Sequence, residues 1–285
     1  MSASVIDGRK IAFEQKKKIK QELTHLISLY KKQPCISTIL IGNDPVSELY
    51  LKLRDTACSE VGIHSDHVRF PVTVSRTEIN KTIHQLNANP NVHGILIQLP
   101  LPKHLPPDPF LSAINPLKDV EGFHPINLGK TLIGDEGLVP CTPLAVIRIL
   151  EHERLDLKGK DVVVVNHSMV VGKPLAALLL NRNATVTICH VFTKNLLHYT
   201  STADILITAT GIPNLITEEH VKKDAVVIDV GIIQTKDGVR GDVDFSSVME
   251  KAGKLTPVPG GVGPVTIACA LENMVKTYRR CLESN

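Results

Sequence analysis

Asp161-Val-Val-Val-Val165, Asn166-His167-Ser168-Met169-Val170-Val171-Gly172-Lys173-Pro174 and Ala184-Thr-Val-Thr-Ile-Cys189 follow one another across the middle of the chain. The first reads as a buried strand, the second as a turn feeding a helix over 170–181, and the third as the next strand. Ala203-Asp-Ile-Leu-Ile-Thr208 and Ala225-Val-Val-Ile-Asp229 repeat the strand signal. Strand, turn, helix and strand at this spacing predict a Rossmann-like, doubly wound parallel sheet. The turn after the first strand carries a single glycine, Gly172, so it is not G-x-G-x-x-G. Free backbone N–H groups and a helix dipole at such a turn still favour a phosphate. The turn reads as a ligand site or as a plain strand-to-helix connection.

An NAD site usually closes its second strand with Asp or Glu, which binds the ribose hydroxyls. Here that end reads Cys189-His190-Val191. No carboxylate would repel a 2′-phosphate, and His167, His190 and Lys194 are potential cations, which favours NADP over NAD. Each histidine is otherwise an ordinary surface or core residue.

Upstream, residues 9–31 form the pattern of an amphipathic helix with a basic outer face, Lys16-Lys17-Lys18 lying on solvent. Cys35-Ile-Ser-Thr-Ile-Leu-Ile-Gly42 reads as a strand. Asn43-Asp44-Pro45 then opens a helix that Gly62 stops near Val61. Ser75-Arg-Thr-Glu78 fits a capping box, and Gly94-Ile-Leu-Ile-Gln-Leu99 is a short apolar strand ended by Pro100 and Pro102. These elements predict a second parallel α/β unit. The stretch from Pro100 to Pro143 is rich in proline and turns and reads as inter-domain and site loops. Thr142-Pro143 fits an N-cap followed by a first helical residue, and Pro259-Gly-Gly-Val-Gly-Pro264 opens a last helix.

The 285 residues fit about two domains at roughly 150 residues each. A net charge of +3 is too mild to imply a nucleic-acid or membrane surface. Four per cent aromatic residues and no Trp leave little for base stacking. The six cysteines form no C-x-x-C pair and no metal-ligand cluster, so no metal is expected, and they read as buried thiols of a reducing compartment. The N-terminus lacks a signal-type apolar region, and no apolar run approaches the roughly 20 residues of a membrane span. A cytoplasmic protein is expected.

Within the first unit, Tyr50 and Arg54 are four residues apart and share a helix face. Leu53 and Ala57 lie on or beside that face. An arginine next to a buried stripe needs a partner or a wet pocket; an interdomain salt bridge or a snorkelling side chain would equally account for it. Gln98 ends a strand, where ligands of open α/β sheets bind, or else it satisfies a loop backbone. If Lys118-Asp119-Val-Glu121-Gly122 is extended, both acids point one way, either toward a polar heterocycle or into ordinary ion pairs.

Taken together, the segments resemble the bifunctional methylenetetrahydrofolate dehydrogenase/methenyltetrahydrofolate cyclohydrolase family along nearly the whole chain. The matching stretches include Asp7-Gly8, Ile41-Gly-Asn-Asp-Pro45 with Ser47 and Tyr50, Gly94-Ile-Leu-Ile-Gln-Leu-Pro-Leu-Pro102 and Lys118-Asp-Val120 with Gly122-Phe-His-Pro125. They continue with Pro140-Cys-Thr-Pro143, Val171-Gly-Lys-Pro174, Val227-Ile-Asp-Val-Gly-Ile232, Gly241-Asp-Val-Asp-Phe245 and Thr256-Pro-Val-Pro-Gly-Gly-Val-Gly-Pro264. The resemblance implies a catalytic folate-binding domain over 1–142 with 266–285, a Rossmann-like nicotinamide-cofactor domain over 143–265, a substrate cleft between them, and a homodimer. It implies oxidation of 5,10-methylenetetrahydrofolate by NADP, with NAD as a second possibility, and hydrolysis of the methenyl product to 10-formyltetrahydrofolate. It also implies the site residues. Tyr50 lies beside the folate ring system, Gln98 orients the catalytic position 54, and Glu121 binds the pterin. Leu99, Gly261 and Pro264 complete the substrate side. Asn166, His167, Ser168, Val171, Gly172, Pro174, His190, Thr210 and Ile232 form the cofactor side.

Several positions depart from the family pattern. Its catalytic lysine is Arg54, its pterin aspartate is Glu121, and its Gly-Arg-Ser turn is Asn166-His167-Ser168. Val191, Ala145 and Ile233 replace residues that are commonly polar or basic, small or glycine, and asparagine. Glu moves its charge by about 1.5 Å, one bond length, and arginine cannot give up a proton near neutrality as a desolvated lysine can. The departures imply weakened hydrolysis by way of Arg54. The alternatives are a non-catalytic or regulatory paralogue that binds folate or nucleotide, and a different small-molecule dehydrogenase.

Overall fold

The computed structural model describes residues 2–236 and 238–283. In chain order the first half contains β1 (Ser4–Val5), α1 (Gly8–Tyr30), β2 (Cys35–Ile41), α2 (Pro45–Val61), β3 (His64–Phe70), α3 (Arg76–Ala88), β4 (Gly94–Ile97), α4 (Asp108–Leu111) and α5 (Pro125–Leu132). The second half contains α6 (Cys141–His152), β5 (Asp161–Val165), α7 (Gly172–Leu180), β6 (Thr185–Cys189), α8 (Leu196–Thr200), β7 (Ile205–Thr208), β8 (Val226–Asp229), β9 (Ile233–Thr235), β10 (Gly238–Arg240), α9 (Phe245–Met249), β11 (Lys254–Leu255) and α10 (Val262–Glu283). The chain forms two compact units. One holds the residues up to Phe13, Thr131–Asp135 and Thr142–Thr266; the other holds Glu14–Lys130, Glu136–Cys141 and the chain from Ile267 onward.

The smaller unit is built on a three-stranded parallel sheet in the order β3-β2-β4. The central strand registers Ile39 against Val68 on one side and Ile97 on the other. Ile36, Ile39 and Leu40 are buried there, as the apolar run predicts. Helix α2 starts where Asp44 accepts from the Ser47 amide and ends at Gly62, whose φ of 92° suits a residue without a Cβ. The capping box of Ser75 and Glu78 is present at α3. The other end of α3 is capped from a distance: the Lys118 ammonium donates to the carbonyls of Leu86, Asn87 and Asn89 at 3.2, 2.8 and 2.8 Å.

The larger unit carries a six-stranded sheet in the order β1-β11-β8-β7-β5-β6, parallel throughout. Its two sides meet at β5. The chain leaves β5 for β6 on one side and returns to β7 on the other, so the switch point lies beyond Val165 and Thr208, where open α/β sheets bind ligands. Val163, Val165, Leu206, Val227 and Leu255 fill the core beneath it.

Three local expectations are corrected. Residues 1–13 were placed with the first domain, but Ser4–Val5 pairs with Lys254–Leu255 and belongs to the larger unit. Thr142 is not an N-cap: α6 already begins at Cys141, and Pro143 sits in the first turn, where a missing N–H costs nothing. Helix α7 begins at Gly172, two residues later than expected, because Asn166 and Ser168 hold the preceding residues in a turn.

Candidate active site

In the smaller unit Tyr50 and Arg54 stand one helical turn apart on α2, and the guanidinium carbon lies 6.0 Å from the Tyr50 ring centroid, within cation–π range. Arg54 is 1% exposed, so it does not snorkel; Ala57 shares its burial, whereas Leu53 faces solvent at 51%. The guanidinium is held by neutral oxygens: Nη1 donates to Gln98 Oε1 at 3.3 Å and Nη2 to Thr38 Oγ1 at 3.1 Å. Its Nε is buried without a partner. Gln98 also donates from Nε2 to the Leu99 carbonyl at 3.0 Å, so it satisfies its own loop while it holds the Arg54 cation. Thr38 was missed at the sequence level. A strand buried along nearly its whole length gives no sign that one of its hydroxyls will meet a cation from the next helix.

Asp119 and Glu121 do not act alike, because the segment is a turn, with Gly122 at φ 74°, and not extended. Asp119 is buried and spends its carboxylate inward, accepting from the amides of Gly122 and His124 and from Asn127 Nδ2. It shapes the loop. Glu121 is half-buried, and no hydrogen bond claims its carboxyl among the described residues. Loss of hydration pushes that carboxyl up to about 7; the Arg54 charge opposes the shift and the Asp119 charge adds to it. Burial, with Glu121 and Cys141 nearby, holds the Tyr50 hydroxyl protonated far above its usual range, and burial does the same to the Cys141 thiol. The cluster therefore offers a phenol donor, a fixed cation and one carboxyl poised near neutrality.

In the larger unit the turn after β5 is organised by Asn166. Its Nδ2 donates to the Ala209 carbonyl at 2.6 Å, bridging the switch point, and its Oδ1 accepts from the amides of Ser168 at 2.8 Å and Gly172 at 2.9 Å. A Cβ on Gly172 would lie 2.1 Å from the Asn166 carbonyl oxygen, so the single glycine in this turn is needed for close helix–strand packing. Val171 donates to Ser168 Oγ at 3.1 Å, and Pro174 is buried in α7. Exposed His167 and half-buried His190 place their ring centroids 4.7 Å apart at the ends of β5 and β6. Val191 beside them is 81% exposed. No acid closes β6, and two imidazoles stand together at the ends of β5 and β6, so the residues present fit an NADP-type dinucleotide.

Two aspartates that sequence reading gave no role govern the rest of this edge. Asp242 accepts from Thr208 Oγ1 at 2.7 Å and from the amides of Thr210, Gly211 and Ile212 at 2.6, 2.8 and 3.2 Å. Asp229 accepts from the amides of Gly231, Asp242 and Val243. Burial raises its carboxyl to about 6 against those amides, with the Asp242 charge adding. A Cβ on Gly231 would meet Asp242 Oδ1 at 2.2 Å, and one on Gly241 would meet Asp229 Oδ2 at 2.0 Å. The glycine beside each aspartate was the available signal. Thr210 thus lies in a pinned loop, whereas Ile232 is 59% exposed. Ala145 is buried in α6 and Ile233 is half-buried in β9. Gly261 is buried, with room for no Cβ beside Pro257, and Pro264 lies in the first turn of α10. Both belong to the larger unit, unlike Tyr50, Arg54, Gln98, Leu99 and Glu121. Among the described residues no His, Cys, Asp and Glu group could hold a metal ion.

Two family models cover the chain: the tetrahydrofolate dehydrogenase/cyclohydrolase catalytic domain over residues 6–121 and its NAD(P)-binding domain over residues 140–282. The chain is 51% identical to the bifunctional protein FolD of Methanosarcina barkeri, covering 99% of this chain and 96% of the relative. Among solved structures it is similar to the bifunctional dehydrogenase/cyclohydrolase of Campylobacter jejuni, with a TM-score of 0.95, 43% identity and coverage of 98% and 99% of the two chains. It is equally similar to the Trypanosoma brucei enzyme complexed with NADP cofactor and inhibitor, with a TM-score of 0.95, 35% identity and 99% of each chain. With both of its units accounted for and full-length relatives at about half identity, the chain belongs to the tetrahydrofolate dehydrogenase/cyclohydrolase family.

Proposed function

We propose that this chain oxidises 5,10-methylenetetrahydrofolate to the 5,10-methenyl compound with NADP, and hydrolyses that product to 10-formyltetrahydrofolate with a weakened second step. The observation that carries this reading is Arg54, a buried cation held at one geometry by Gln98 and Thr38 beside Tyr50 and the raised carboxyl of Glu121. Tyr50 flanks the folate ring system and Glu121 receives the polar edge of the pterin. Leu99, Gly261 and Pro264 line the substrate side. Bound NADP supplies the hydride acceptor. Asn166, His167, Ser168, Val171, Gly172, Pro174, His190, Thr210 and Ile232 would hold it, with His167 and His190 as the donors available to its 2′-phosphate.

Arg54 keeps Gln98 oriented; loss of a hydride leaves the one-carbon unit positively charged, so the guanidinium serves that step by positioning and not by charge. A guanidinium does not give up its proton near neutrality, so Arg54 takes no proton from an attacking water. NADP preference over NAD is looser than an arginine-bearing turn would give, since a lost charge-assisted bond costs about 1.5–3 kcal/mol. The chain works in the cytoplasm as a homodimer on tetrahydrofolate one-carbon derivatives, without nucleic acid or membrane.

The test is an assay of purified protein with methylenetetrahydrofolate and either NADP or NAD, following the methenyl absorbance. Methenyl formation with both cofactors, with NADP favoured by less than about a thousandfold or roughly 4 kcal/mol, is expected. No methenyl signal and no reduced nicotinamide with either cofactor would assign the chain to the non-catalytic folate or nucleotide binders.

A further inference from the structure

Asn273 lies on α10, is 0% exposed, and none of the roles above uses it. Its amide nitrogen donates to the carbonyl oxygens of Val120 at 2.9 Å and Val139 at 2.8 Å, and lies 3.7 Å from Cys141 Sγ. The Cys141 thiol donates to the same Val120 carbonyl at 3.4 Å. Val120 immediately precedes Glu121, and Val139 opens the segment that leads to Cys141. One side chain from a third part of the sequence therefore clamps two loops together. They pack so closely that a Cβ on Gly122 would lie 2.6 Å from the Val139 carbonyl carbon. Asp119 fixes the far side of the same turn through Gly122 and His124.

Asn273 Oδ1 is buried with no hydrogen-bond partner. A core amide that leaves its own oxygen unpaired is costly, and a leucine, with the same number of side-chain heavy atoms, would bring no unpaired oxygen into the core. What leucine lacks is the forked donor, the part of Asn273 that reaches the Glu121 turn.

We propose that Asn273 is a positioning residue for folate recognition: by holding the Val120 carbonyl it fixes the Glu121 turn, and through it the affinity for the pterin end of the substrate. This rests on the reading of Glu121 as the pterin ligand. Asn273→Leu, Asn273→Gln, Glu121→Gln and the double variant Asn273→Leu with Glu121→Gln are compared for KM of methylenetetrahydrofolate, KM of NADP and kcat. Asn273→Leu should raise the folate KM about tenfold, as a misplaced contact group does, with the NADP KM unchanged. Asn273→Gln keeps the donor on a longer arm and should raise the folate KM less; it carries the test if the leucine variant does not accumulate. In the Glu121→Gln background Asn273→Leu should add nothing, because two residues acting as one unit are non-additive. An unchanged folate KM in both Asn273 variants, an equal rise in both backgrounds, or a parallel change in the NADP KM would overturn the positioning role. If Glu121→Gln itself leaves the folate KM unchanged, the pterin reading fails and the positioning role falls with it.

Discussion

At the scale of single residues the chemistry turns on Arg54 and Glu121. Lysine at position 54 would exchange a fixed fork, now spent on Gln98 and Thr38, for a point charge that can lose its proton when desolvated. Arg54→Lys is therefore expected to raise methenyl hydrolysis by about 10²-fold, the low end of what a positioned acid–base group contributes, and to change the dehydrogenase rate far less. Steady-state rates of the two half-reactions measured separately check this; equal gains in both would refute it. Glu121 is the group of the cluster whose charge changes near neutrality. Its carboxyl is raised to about 7, so it is a neutral acid below that pH and a carboxylate above it. A pterin edge that donates hydrogen bonds needs the carboxylate. The folate KM should thus rise as pH falls through about 7, and Glu121→Gln should flatten that dependence. Neither residue's state was legible in the sequence. An arginine on an amphipathic helix looks like a surface residue until its neighbours are known, and the condition for Asp119 and Glu121 to share a direction, an extended segment, is not met because the chain turns at Val120 and Glu121.

At the scale of elements, the loops at the carboxyl edge of the large sheet are held by carboxylates. Asp242→Ala would strand the Thr208 hydroxyl and the amides of Thr210, Gly211 and Ile212. It should lose about 3 kcal/mol or more, at 1–3 kcal/mol for each unsatisfied buried group with partial relaxation. Asp244→Ala, which removes the side-chain cap of α9, should lose about 1 kcal/mol. Urea unfolding monitored by circular dichroism separates the two, and equal losses would show that Asp242 is no more than another cap. Gly172→Ala drives a methyl group into the Asn166 carbonyl. That strain cannot be relieved by rotating a side chain and should weaken NADP binding while leaving the folate KM unchanged, which calorimetry and kinetics together would reveal. The strands β2, β4, β5, β6, β7 and β8, the helix start after Asp44, the stop at Gly62 and the capping box at Ser75 were readable, because apolar runs and capping residues act locally; β3, a mixed polar run, was not. The pairing of β1 with β11 was not readable: two residues carry no period, and their partner lies at the far end of the chain.

At the scale of the whole molecule, the parallel sheet of the larger unit was predictable from its repeated strand and helix signals, whereas the tie of Asn273 to distant loops was not. Leu132 and Ile133 are 67% and 80% exposed in that unit, and the adjacent Thr131 carbonyl accepts from Asn181 at the end of α7, where Leu180 is 55% exposed. Apolar residues exposed side by side favour association. Light scattering at micromolar protein should give twice the chain mass of 31.1 kDa, and Ile133→Asp should shift it toward a single chain; a wild-type monomer would remove the dimer from the account. The central claim is one enzyme with two coupled activities, the second slowed by Arg54, and a single progress curve tests it most directly. Wild-type protein mixed with methylenetetrahydrofolate and NADP should show methenyl absorbance rising as NADPH forms, then decaying far more slowly than it rose, by about 10²-fold for a site without its proton acceptor. NADPH formation with no methenyl accumulation, because hydrolysis keeps pace, would contradict the role given to Arg54, and no NADPH formation at all would contradict the activity itself.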